Sequence, residues 1–258
     1  MKRVFVVVVL GLLLVNCGGG NGPGGRPPVT LTGGNWAFKP TAILGNSQLM
    51  FFSASLTQTG SSVTGLAYIG LANCDALLNA VPISGTVNGN SVTLKAGTTD
   101  VVTVTGTISG TKTVTGTYSV TGSCAGGDQG PITGTYVPPL TGTWKGTEVV
   151  DGTSTTMTLH LTQQETANSL GFFALSGTVD YVGSPCALSG TTDSNVSFVL
   201  GDLVAVMVDT SEAGGGSGQV LYDGALDDPA TATSFRGFES VLTGMCSSSG
   251  QLITFTKQ

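Results

Sequence analysis

The side chains of this chain that could carry out chemistry are few, and most lack the neighbours that catalysis needs. His160 is the only histidine, and no Gly-x-Ser-x-Gly elbow accompanies it to complete a Ser-His-Asp arrangement. Ser109 and Lys112 match the Ser-x-x-Lys motif of serine acyl-transfer enzymes, but the companion Ser-Asp-Asn and Lys-Thr-Gly motifs are missing. Alternating Thr and Val on both sides place this tetrapeptide at a hairpin tip. We therefore predict a protein without catalytic residues and without a cofactor.

The carboxylates are concentrated in the second half of the chain. Residues 29–139 carry three basic and three acidic side chains, whereas residues 140–258 carry three basic and twelve acidic ones, a net charge of −9. Several of the twelve cluster in sequence: Asp202, Asp209, Glu212, Asp223, Asp227 and Asp228. They are interpreted as solubilising loop charges or as an acidic face for a cationic protein partner. Calcium needs six to eight convergent oxygens, so Asp223, Asp227 and Asp228 are only weak calcium candidates and no metal site is predicted.

The composition as a whole indicates the fold class. The 258 residues include nine basic and fifteen acidic side chains, so 9% are charged, against about 25% in an ordinary soluble domain. This scarcity of charge excludes a highly charged disordered chain and a nucleic-acid binder with a basic stripe. The 40 glycines and the abundant Thr and Val disfavour helices, since all three are poor helix formers. The composition therefore predicts an all-β protein.

The chain opens with the features of an export signal. Met1-Lys2-Arg3 is basic, and Val4 to Val15 is an apolar run of twelve residues. A transmembrane helix needs about 20 such residues, whereas this length suits the apolar region of a secretory signal peptide. We therefore predict an exported protein.

The residues that end this run resemble the lipobox of bacterial lipoproteins. Leu14, Val15 and Cys17 fit the pattern, while Asn16 departs from it because the family prefers Gly, Ala or Ser before the cysteine. The resemblance implies a signal peptide over residues 1–16 and a lipid-modified Cys17 at the mature N-terminus. The alternative is an ordinary secretory signal with a free Cys17.

If Cys17 is acylated, residues 17–28 form a Gly/Pro tether to the membrane. About eleven residues of this composition have an r.m.s. reach of roughly 17–20 Å, and two or more acyl chains give stable anchoring. The residue after the cysteine is Gly18 and not an acidic one. The resemblance therefore implies the outer membrane of the cell envelope, at its periplasmic face or at the cell surface.

Beyond the tether the chain is a tandem duplication that divides at Pro138-Pro139. Three further pairs of segments recur in the same order: Leu56-Thr57-Gln58 with Leu161-Thr162-Gln163, 83–86 with 188–191, and 90–94 with 195–200. Each half also opens with Leu-Thr-Gly shortly before a tryptophan, Trp36 or Trp144. A period near about 110 residues indicates two domains, 29–139 and 140–258, and not a solenoid.

Both halves show the period-2 alternation of half-buried strands. Residues 101–108 alternate Val or Ile with Thr, and in residues 156–162 the apolar face leaves His160 on the Thr face. We predict about eight strands per half, in the first near 34–39, 47–58, 62–70, 82–88, 91–96, 101–108, 112–121 and 131–137. Thr/Ser-Gly-Thr recurs within strands, and strand-internal glycine suits sharply bent strands. Two antiparallel up-and-down barrels are therefore favoured over β-sandwiches.

Short segments of the chain resemble the avidin family. They are LTGTW at 140–144, TGTY at 115–118 and 133–136, and ITFTK at 253–257. The opening Gly-x-Trp is shared with lipocalins, so the resemblance implies calycin-like eight-stranded barrels. It does not imply biotin binding, because avidin's pocket uses several tryptophans and this chain has two, both at the opening position.

The four cysteines beyond the leader allow three disulfide pairings. The duplication selects Cys74–Cys124 and Cys186–Cys246, one bridge in each domain. The chain-entropy model gives about 4 kcal/mol for loops of this length. Disulfides are expected outside the cytoplasm, in agreement with the leader.

Three hypotheses about function follow for this lipid-anchored envelope protein. The first is that a barrel lumen holds a small apolar ligand, since eight strands enclose either a filled core or one small ligand. The second is a protein-binding role, as an inhibitor or adhesion factor, with the acidic second domain facing a cationic partner. The third is a passive structural lipoprotein.

Overall fold

The computed structural model describes residues 29–41, 49–72, 80–150, 152–244 and 250–258. Within these ranges the chain forms seventeen β-strands and no helix. The first eight close an antiparallel barrel in chain order, with β1 pairing to β8. They are β1 (Gly34–Pro40), β2 (Leu49–Thr59), β3 (Ser62–Leu71), β4 (Val81–Asn88), β5 (Ser91–Ala96), β6 (Val101–Ser109), β7 (Thr113–Thr121) and β8 (Gln129–Tyr136).

The remaining nine strands form a second antiparallel barrel. They are β9 (Gly142–Val150), β10 (Thr153–Gln163), β11 (Phe173–Val182), β12 (Ala187–Thr192), β13 (Phe198–Leu200), β14 (Leu203–Glu212), β15 (Ser217–Leu226), β16 (Ser234–Thr243) and β17 (Leu252–Lys257). The pairing of β10 with β11 closes the ring. Because β12 and β13 both lie between β11 and β14, they share one strand position, and the ring has eight positions.

The predicted fold class is confirmed, and the sandwich alternative is wrong because both sheets close. In the first barrel all eight predicted strands are present, with ends shifted by at most two residues. One proposed repeat is not a structural equivalence: 90–94 lies largely in β5, whereas 195–200 leads into β13. The counterpart of β5 is β14, because β13 is half of a divided fourth strand.

The glycines of the Thr/Ser-Gly-Thr repeats lie where neighbouring strands approach closely. An added Cβ at Gly85 would lie 2.2 Å from the carbonyl oxygen of Thr93, and one at Gly116 would lie 2.1 Å from that of Thr105. No side chain fits at such distances. These glycines therefore permit the tight coiling of the barrel wall, as the sequence pattern predicts.

Large apolar side chains fill the interior of each barrel. Those that are almost completely buried in the first are Trp36, Phe38, Phe52, Ile69, Leu94, Ile108 and Ile132, and in the second Trp144, Leu159, Phe235 and Phe255. Aromatic rings stack within both cores, with centroids 4.9 Å apart for Phe38 and Phe52 and 4.8 Å apart for Phe235 and Phe255. Burial of this apolar surface is the main source of stability.

The two tryptophans are structural anchors at corresponding places. The indole nitrogen of Trp36 donates to the carbonyl oxygen of Thr32 at 2.9 Å, and that of Trp144 donates to Leu140 at 2.8 Å. Each indole is thus paired with the backbone four residues earlier. A buried N–H needs such a partner, and so the opening tryptophans have a role in folding.

The duplicated Leu-Thr-Gln segments have an equally structural role. The side-chain oxygen of Gln58 accepts a hydrogen bond from the backbone nitrogen of Leu31, and that of Gln163 accepts one from Leu140, both at 2.8 Å. Each glutamine therefore ties the segment before the first strand of its barrel to the second strand.

The two barrels are docked against each other by aromatic stacking. Phe172, in the loop between β10 and β11, stacks on Tyr68 of the first barrel at 4.8 Å and on Phe198 of β13 at 4.1 Å. Ala37, on the outer face of β1, packs within the core cluster of the second barrel. The outer faces of β1 and β3 are therefore covered by the second domain.

Polar contacts complete this interface. The side-chain amide of Asn35 donates to the carbonyl oxygen of Gly201 at 3.0 Å and accepts a hydrogen bond from its backbone nitrogen. Lys39 pairs with Asp202 at 2.7 Å. Gly201 has a φ of +58° and lies against Ser53, where an added Cβ would be 2.1 Å from the hydroxyl oxygen. Glycine is therefore required at this turn for two reasons. Other residues rarely adopt this positive φ, and a side chain here would clash with Ser53.

Several sequence predictions fall on undescribed residues. The leader, the lipobox with Cys17, the tether, Cys74 and Cys246 all lie outside the described ranges. Cys124 and Cys186 are not free thiols, and they are not at disulfide distance from each other. The disulfide pairing therefore stays a prediction. Among the described residues there is no helix that could cross a membrane.

Candidate functional site

His160 lies on the outer face of β10, as predicted, beside two residues that the sequence analysis did not connect with it. Its Nδ1 is 3.2 Å from Oγ1 of Thr143, and its Nε2 is 3.7 Å from a carboxylate oxygen of Asp180. The three residue types match a nucleophile, a base and an acid. However, the His160 and Asp180 side chains are about half exposed on the barrel wall, where water competes for every contact. The arrangement forms a surface ion pair when His160 is protonated.

Ser109 and Lys112 lie at the tip of the hairpin between β6 and β7. Both are exposed, and the ammonium group of Lys112 is 5.3 Å from the centre of the Tyr136 ring. This is the hairpin location that the flanking Thr/Val strands predict, and it differs from the helix start that the Ser-x-x-Lys motif requires.

Three of the acidic residues that cluster in the sequence of the second domain have different surroundings. Asp202 pairs with Lys39 in the domain interface, while Glu212 is buried at the end of β14. Asp209 accepts a hydrogen bond of 2.8 Å from Gln219 on the outer wall. These three members of the cluster are therefore divided among the interface, the barrel interior and the wall.

The weak calcium candidates Asp223, Asp227 and Asp228 have separate surroundings. Asp227 accepts hydrogen bonds from Ser234 and Arg236, and these two contacts, Ser234 first, lower the pKa of its carboxyl group. Asp228 accepts hydrogen bonds within the turn before β16. Among the described residues, no group of three or more His, Cys, Asp or Glu side chains is arranged to hold a metal ion.

An exposed apolar strip crosses the outer wall of the second barrel. Phe238 on β16 lies directly opposite Leu252 on β17, and the two are 59% and 55% exposed. Val149, on the adjacent β9, exchanges hydrogen bonds with the side chain of Gln251, next to Leu252. Leu242 lies four residues after Phe238 on the same face of β16. We refer to Val149, Leu252, Phe238 and Leu242 as the apolar strip.

The apolar strip borders a groove of about 500 Å³ that is lined by charged as well as apolar side chains. Asp223 on β15 lies opposite Phe238 in the strand register and is exposed. Its carboxylate has no hydrogen-bond or ion-pair partner in the part of the chain that the structure describes. Leu203 and Ala225 line the groove as well. Asp227 and Arg236 also line the groove and pair with each other. The groove thus offers apolar surface beside the carboxylate of Asp223 and one ion pair.

A second unusual feature lies inside the same barrel, in one layer of buried side chains. This lumen polar layer consists of Glu148, Thr155, Tyr181, Tyr222 and Glu239. The hydroxyl of Tyr222 is 3.1 Å from that of Tyr181 and 3.2 Å from the sulfur of Met157. Burial, followed by the neighbouring carboxyl of Glu239, raises the pKa of Glu148 to about 8. Burial also raises the pKa of both tyrosines.

Sequence reasoning missed both features, although strand β16 contains a signal for them. In Ser234–Thr243, Phe235 and Glu239 are buried and Phe238 is exposed. Strict alternation from Phe235 places Glu239 on the core face and Phe238 on the solvent face. An acidic residue inside and an aromatic residue outside reverse the usual distribution.

Comparison with known proteins identifies no similar protein. No protein-family model matches the chain, and neither a characterised protein nor a solved structure gives a significant match. The geometry alone therefore defines the class: two eight-stranded antiparallel β-barrels in tandem, consistent with a calycin-like fold.

Proposed function

We propose that this protein is a non-catalytic, lipid-anchored envelope protein that binds a cationic segment of another protein through the apolar strip and Asp223. The observation that carries the proposal is the exposure of Phe238 and Leu252 side by side, next to an accessible carboxylate. Single apolar residues are normal on a surface, whereas contiguous ones bordered by polar groups mark interaction sites.

The chemistry of the groove indicates what kind of segment it takes. An apolar side chain of the partner would cover Phe238 and Leu252, and an adjacent Lys or Arg would pair with Asp223. A cation near the Phe238 ring also gains cation–π attraction. Because Asp223 lies at the solvent-exposed rim, its charge contributes more to the association rate than to the final affinity.

The leader supplies the cellular setting of this proposal. Export, acylation at Cys17 and the Gly/Pro tether 17–28 would hold both domains near the outer membrane. A flexible tether and a rigid pair of barrels would let the apolar strip reach a partner in the envelope. The interface through Asn35 and Gly201 supports the rigidity of that pair.

Two disulfides belong to the same proposal. The loops that contain Cys74 and Cys124 connect β3 to β4 and β7 to β8, so both leave the same end of the first barrel. Cys186 and Cys246 belong to the corresponding loops of the second barrel. This topology supports one bridge in each domain, as expected for an exported protein.

The small apolar ligand is the hypothesis with less support. Apart from the lumen polar layer, the described lumen side chains pack into one apolar cluster in each barrel. The four described cavities are lined largely by wall and interface residues. The exposed apolar strip has no role in that hypothesis or in a passive structural protein. Protein binding accounts for it directly.

Site-specific photocrosslinking in the native envelope tests the proposal. A photoreactive phenylalanine analogue at position 238 is expected to capture one defined protein. The matched control is the same analogue at Leu188, which is 54% exposed on β12. The association rate constant of the purified partner should fall as the salt concentration rises. It should also fall in the Asp223→Asn variant, whereas Glu165→Gln, in an exposed loop, should leave it unchanged. Equal capture at positions 238 and 188, or none at 238, would contradict the proposal.

Membrane attachment is tested separately. Metabolic labelling with a fatty acid should mark the wild-type chain and not Cys17→Ala, and the variant should leave the membrane fraction. An unlabelled wild-type chain would remove the anchor from the proposal and leave the binding groove untouched.

A further inference from the structure

The wall of the second barrel is paired over only part of the junction between β9 and β17. The ladder between these strands ends with Lys145 opposite Thr256. Hydrogen-bonded pairs of an antiparallel ladder recur every second residue, so the same register would next place Thr147 opposite Thr254. That pair is not part of the ladder that the structure describes. Backbone groups left out of a ladder form a strand edge that can pair with another chain.

The corresponding junction of the first barrel is paired further along. Five residues of β1 are in register with β8. Beyond them, the backbone nitrogen of Thr41 donates to the carbonyl oxygen of Pro131 at 3.0 Å. Thr41 lies five residues after the opening tryptophan of its barrel, and so it corresponds to Val149. The duplicated scaffold therefore closes at this place in the first barrel, and the unpaired stretch belongs to the second barrel.

A side-chain amide occupies the place of a paired strand in this stretch. The backbone nitrogen of Val149 donates to Oε1 of Gln251 at 3.3 Å, and Nε2 of Gln251 donates to the carbonyl oxygen of Val149. A carboxamide carries the same kinds of donor and acceptor as a peptide group. Gln251 thus pairs with both backbone groups of Val149 as a neighbouring strand would. These two groups are therefore oriented to accept a peptide group.

The unpaired stretch is continuous with the apolar strip. We refer to residues 147–149 of β9 and residues 252–254 of β17 as the open seam. Val149 and Leu252 are 52% and 55% exposed, and Thr147 and Thr254 are exposed as well. Leu252 also lines the groove that contains Phe238. Backbone groups, apolar side chains and the groove thus form one continuous surface.

We propose that the partner segment binds the open seam as an extended strand, which adds to β9 along residues 147–149 and displaces the side chain of Gln251. Its backbone N–H and C=O groups pair with those of Thr147 and Val149, the mode of recognition known as β-strand addition. An apolar side chain of the segment covers Leu252 and Phe238. This inference rests on the proposed function, because it specifies the conformation in which the cationic segment binds.

A segment of another protein fits the open seam better than a second copy of this chain does. Outside the open seam, each described strand of a copy is already paired on both sides within its own barrel. An extended segment outside a folded domain has both of its edges free. The residues that pair with Thr147 and Val149 cannot be proline, because proline has no backbone N–H.

Amide hydrogen exchange of the free full chain in detergent tests the open seam without a partner. After correction for intrinsic rates, the amide of Thr147 should exchange roughly tenfold faster or more than that of Lys145, because only Lys145 lies within the ladder. It should also exchange faster than that of Lys39, the corresponding residue of the first barrel, which is in register with Thr133. Equal protection of all three amides would show that the seam is closed and would overturn the inference.

A disulfide across the open seam tests strand addition in the native envelope. Thr147→Cys with Thr254→Cys joins the two sides of the seam. The matched lock, Thr105→Cys with Thr117→Cys, joins two exposed residues that already face each other on the first barrel. With the photoreactive analogue at position 238, capture should fall roughly tenfold or more in the seam-locked chain, since the backbone hydrogen bonds are lost. The matched lock should leave capture unchanged, and peptide mapping verifies each bridge.

A second variant tests the displacement of Gln251 without a new bridge. Gln251→Ala removes the competing amide and should raise capture at position 238 roughly threefold or more, whereas Gln129→Ala, exposed on β8, should not. Near-ultraviolet circular dichroism verifies that each variant is folded. A fall in capture with Gln251→Ala would make this side chain part of the binding surface and would overturn its displacement.

The outcomes separate this inference from the proposed function. Capture at position 238 that responds neither to the seam lock nor to Gln251→Ala overturns strand addition and leaves the proposed function intact. Absence of capture at position 238 contradicts the proposed function, and hydrogen exchange then still reports whether the seam is open. Crosslinks to a second copy of the chain, or to its own residues 17–28, would overturn the assignment of the strand to another protein.

Discussion

Asn35 and Gly201, separated by 166 residues in the chain, exchange two hydrogen bonds across the interface of the barrels. The Asn35 side chain satisfies both backbone groups of the turn between β13 and β14, and both residues are buried. A side chain that pairs with a backbone N–H and C=O together fixes the orientation of the turn. The domains are therefore joined by a directional contact as well as by stacked rings.

The exchange between Asn35 and Gly201 predicts that Asn35→Ala uncouples the barrels. Loss of the amide leaves two buried backbone groups unpaired, which costs about 1–3 kcal/mol. Because each barrel contains one tryptophan, Trp36→Phe and Trp144→Phe backgrounds report on the barrels separately in denaturant unfolding. We expect coincident transitions in the parent backgrounds and separate ones after Asn35→Ala.

A control for this prediction lies in the same interface. The hydroxyl of Ser53 is buried and has no hydrogen-bond partner among the described residues, so Ser53→Ala should leave stability unchanged or raise it. Asn90→Ala, at an exposed hairpin, should be neutral. Separate transitions in the Ser53→Ala protein would show that the hydrogen bonds are not the source of the coupling.

Phe38 on β1 of the first barrel and Phe255 on β17 of the second barrel lie at corresponding levels of the two interiors. Each ring packs against a glycine. An added Cβ at Gly134 would lie 2.3 Å from the Phe38 ring, and one at Gly146 would lie 2.8 Å from the Phe255 ring. We predict that Gly134→Ala destabilises the first barrel by about 1–3 kcal/mol through overpacking. Adding Phe38→Leu should restore part of the loss, as measured by denaturant unfolding.

Gly33→Ala is the matched control, since its added Cβ meets only an ordinary contact at 3.7 Å. Strictly additive effects of Gly134→Ala and Phe38→Leu would contradict the packing explanation.

The raised pKa of Glu148 predicts a specific pH dependence of stability. Burial and the neighbouring carboxyl of Glu239 raise its pKa to about 8 in the folded protein, from an ordinary value of 4.5. The folded state therefore binds more protons than the unfolded state between these values. The contribution of Glu148 to stability is therefore fully present below about pH 4.5 and is lost as the pH rises to about 8. Glu148→Gln should remove this decline, measured as Tm against pH.

Glu165→Gln, in an exposed loop, should retain the wild-type decline in stability. If Glu148→Gln retains it too, the decline originates from another group.

The duplicated cysteines predict a disulfide map. Peptide mapping without reduction should join Cys74 to Cys124 and Cys186 to Cys246. Loss of either bridge through Cys124→Ser or Cys186→Ser should destabilise that barrel by about 2–4 kcal/mol, as followed by the tryptophan of the same barrel. A peptide joining Cys74 to Cys186 would refute the one-bridge-per-domain arrangement.

Much of the fold was predictable because it depends on local patterns. The alternation of Thr with Val or Ile defined the strands, and the repeated Thr/Ser-Gly-Thr glycines indicated coiled walls. The strands of the second barrel were harder to predict from the sequence, because β12 and β13 share one strand position and the segment 195–200 resembles the start of β5. A division of one strand into two pieces depends on pairing with β11 and β14, which no local pattern encodes.

The candidate sites were less predictable than the fold. The net charge of −9 in residues 140–258 indicated an acidic second domain, yet its members have different surroundings. Asp202 is neutralised by Lys39 from the other domain, and Asp227 by Arg236 on the neighbouring wall. Asp223 is exposed, and its strand register sets it beside Phe238.

The sequence by itself determined the export signal pattern, the duplication, the all-β class and the strand positions of the first barrel, because these depend on composition and short-range periodicity. The tertiary structure decided that Glu148 meets Glu239 and that Phe238 meets Leu252. The residues of such a pair are far apart in the chain. Their distance in the fold depends on the offset in hydrogen-bond register between neighbouring strands, summed around the closed barrel. That shift is a property of the whole ring, so only the closed barrel reveals it.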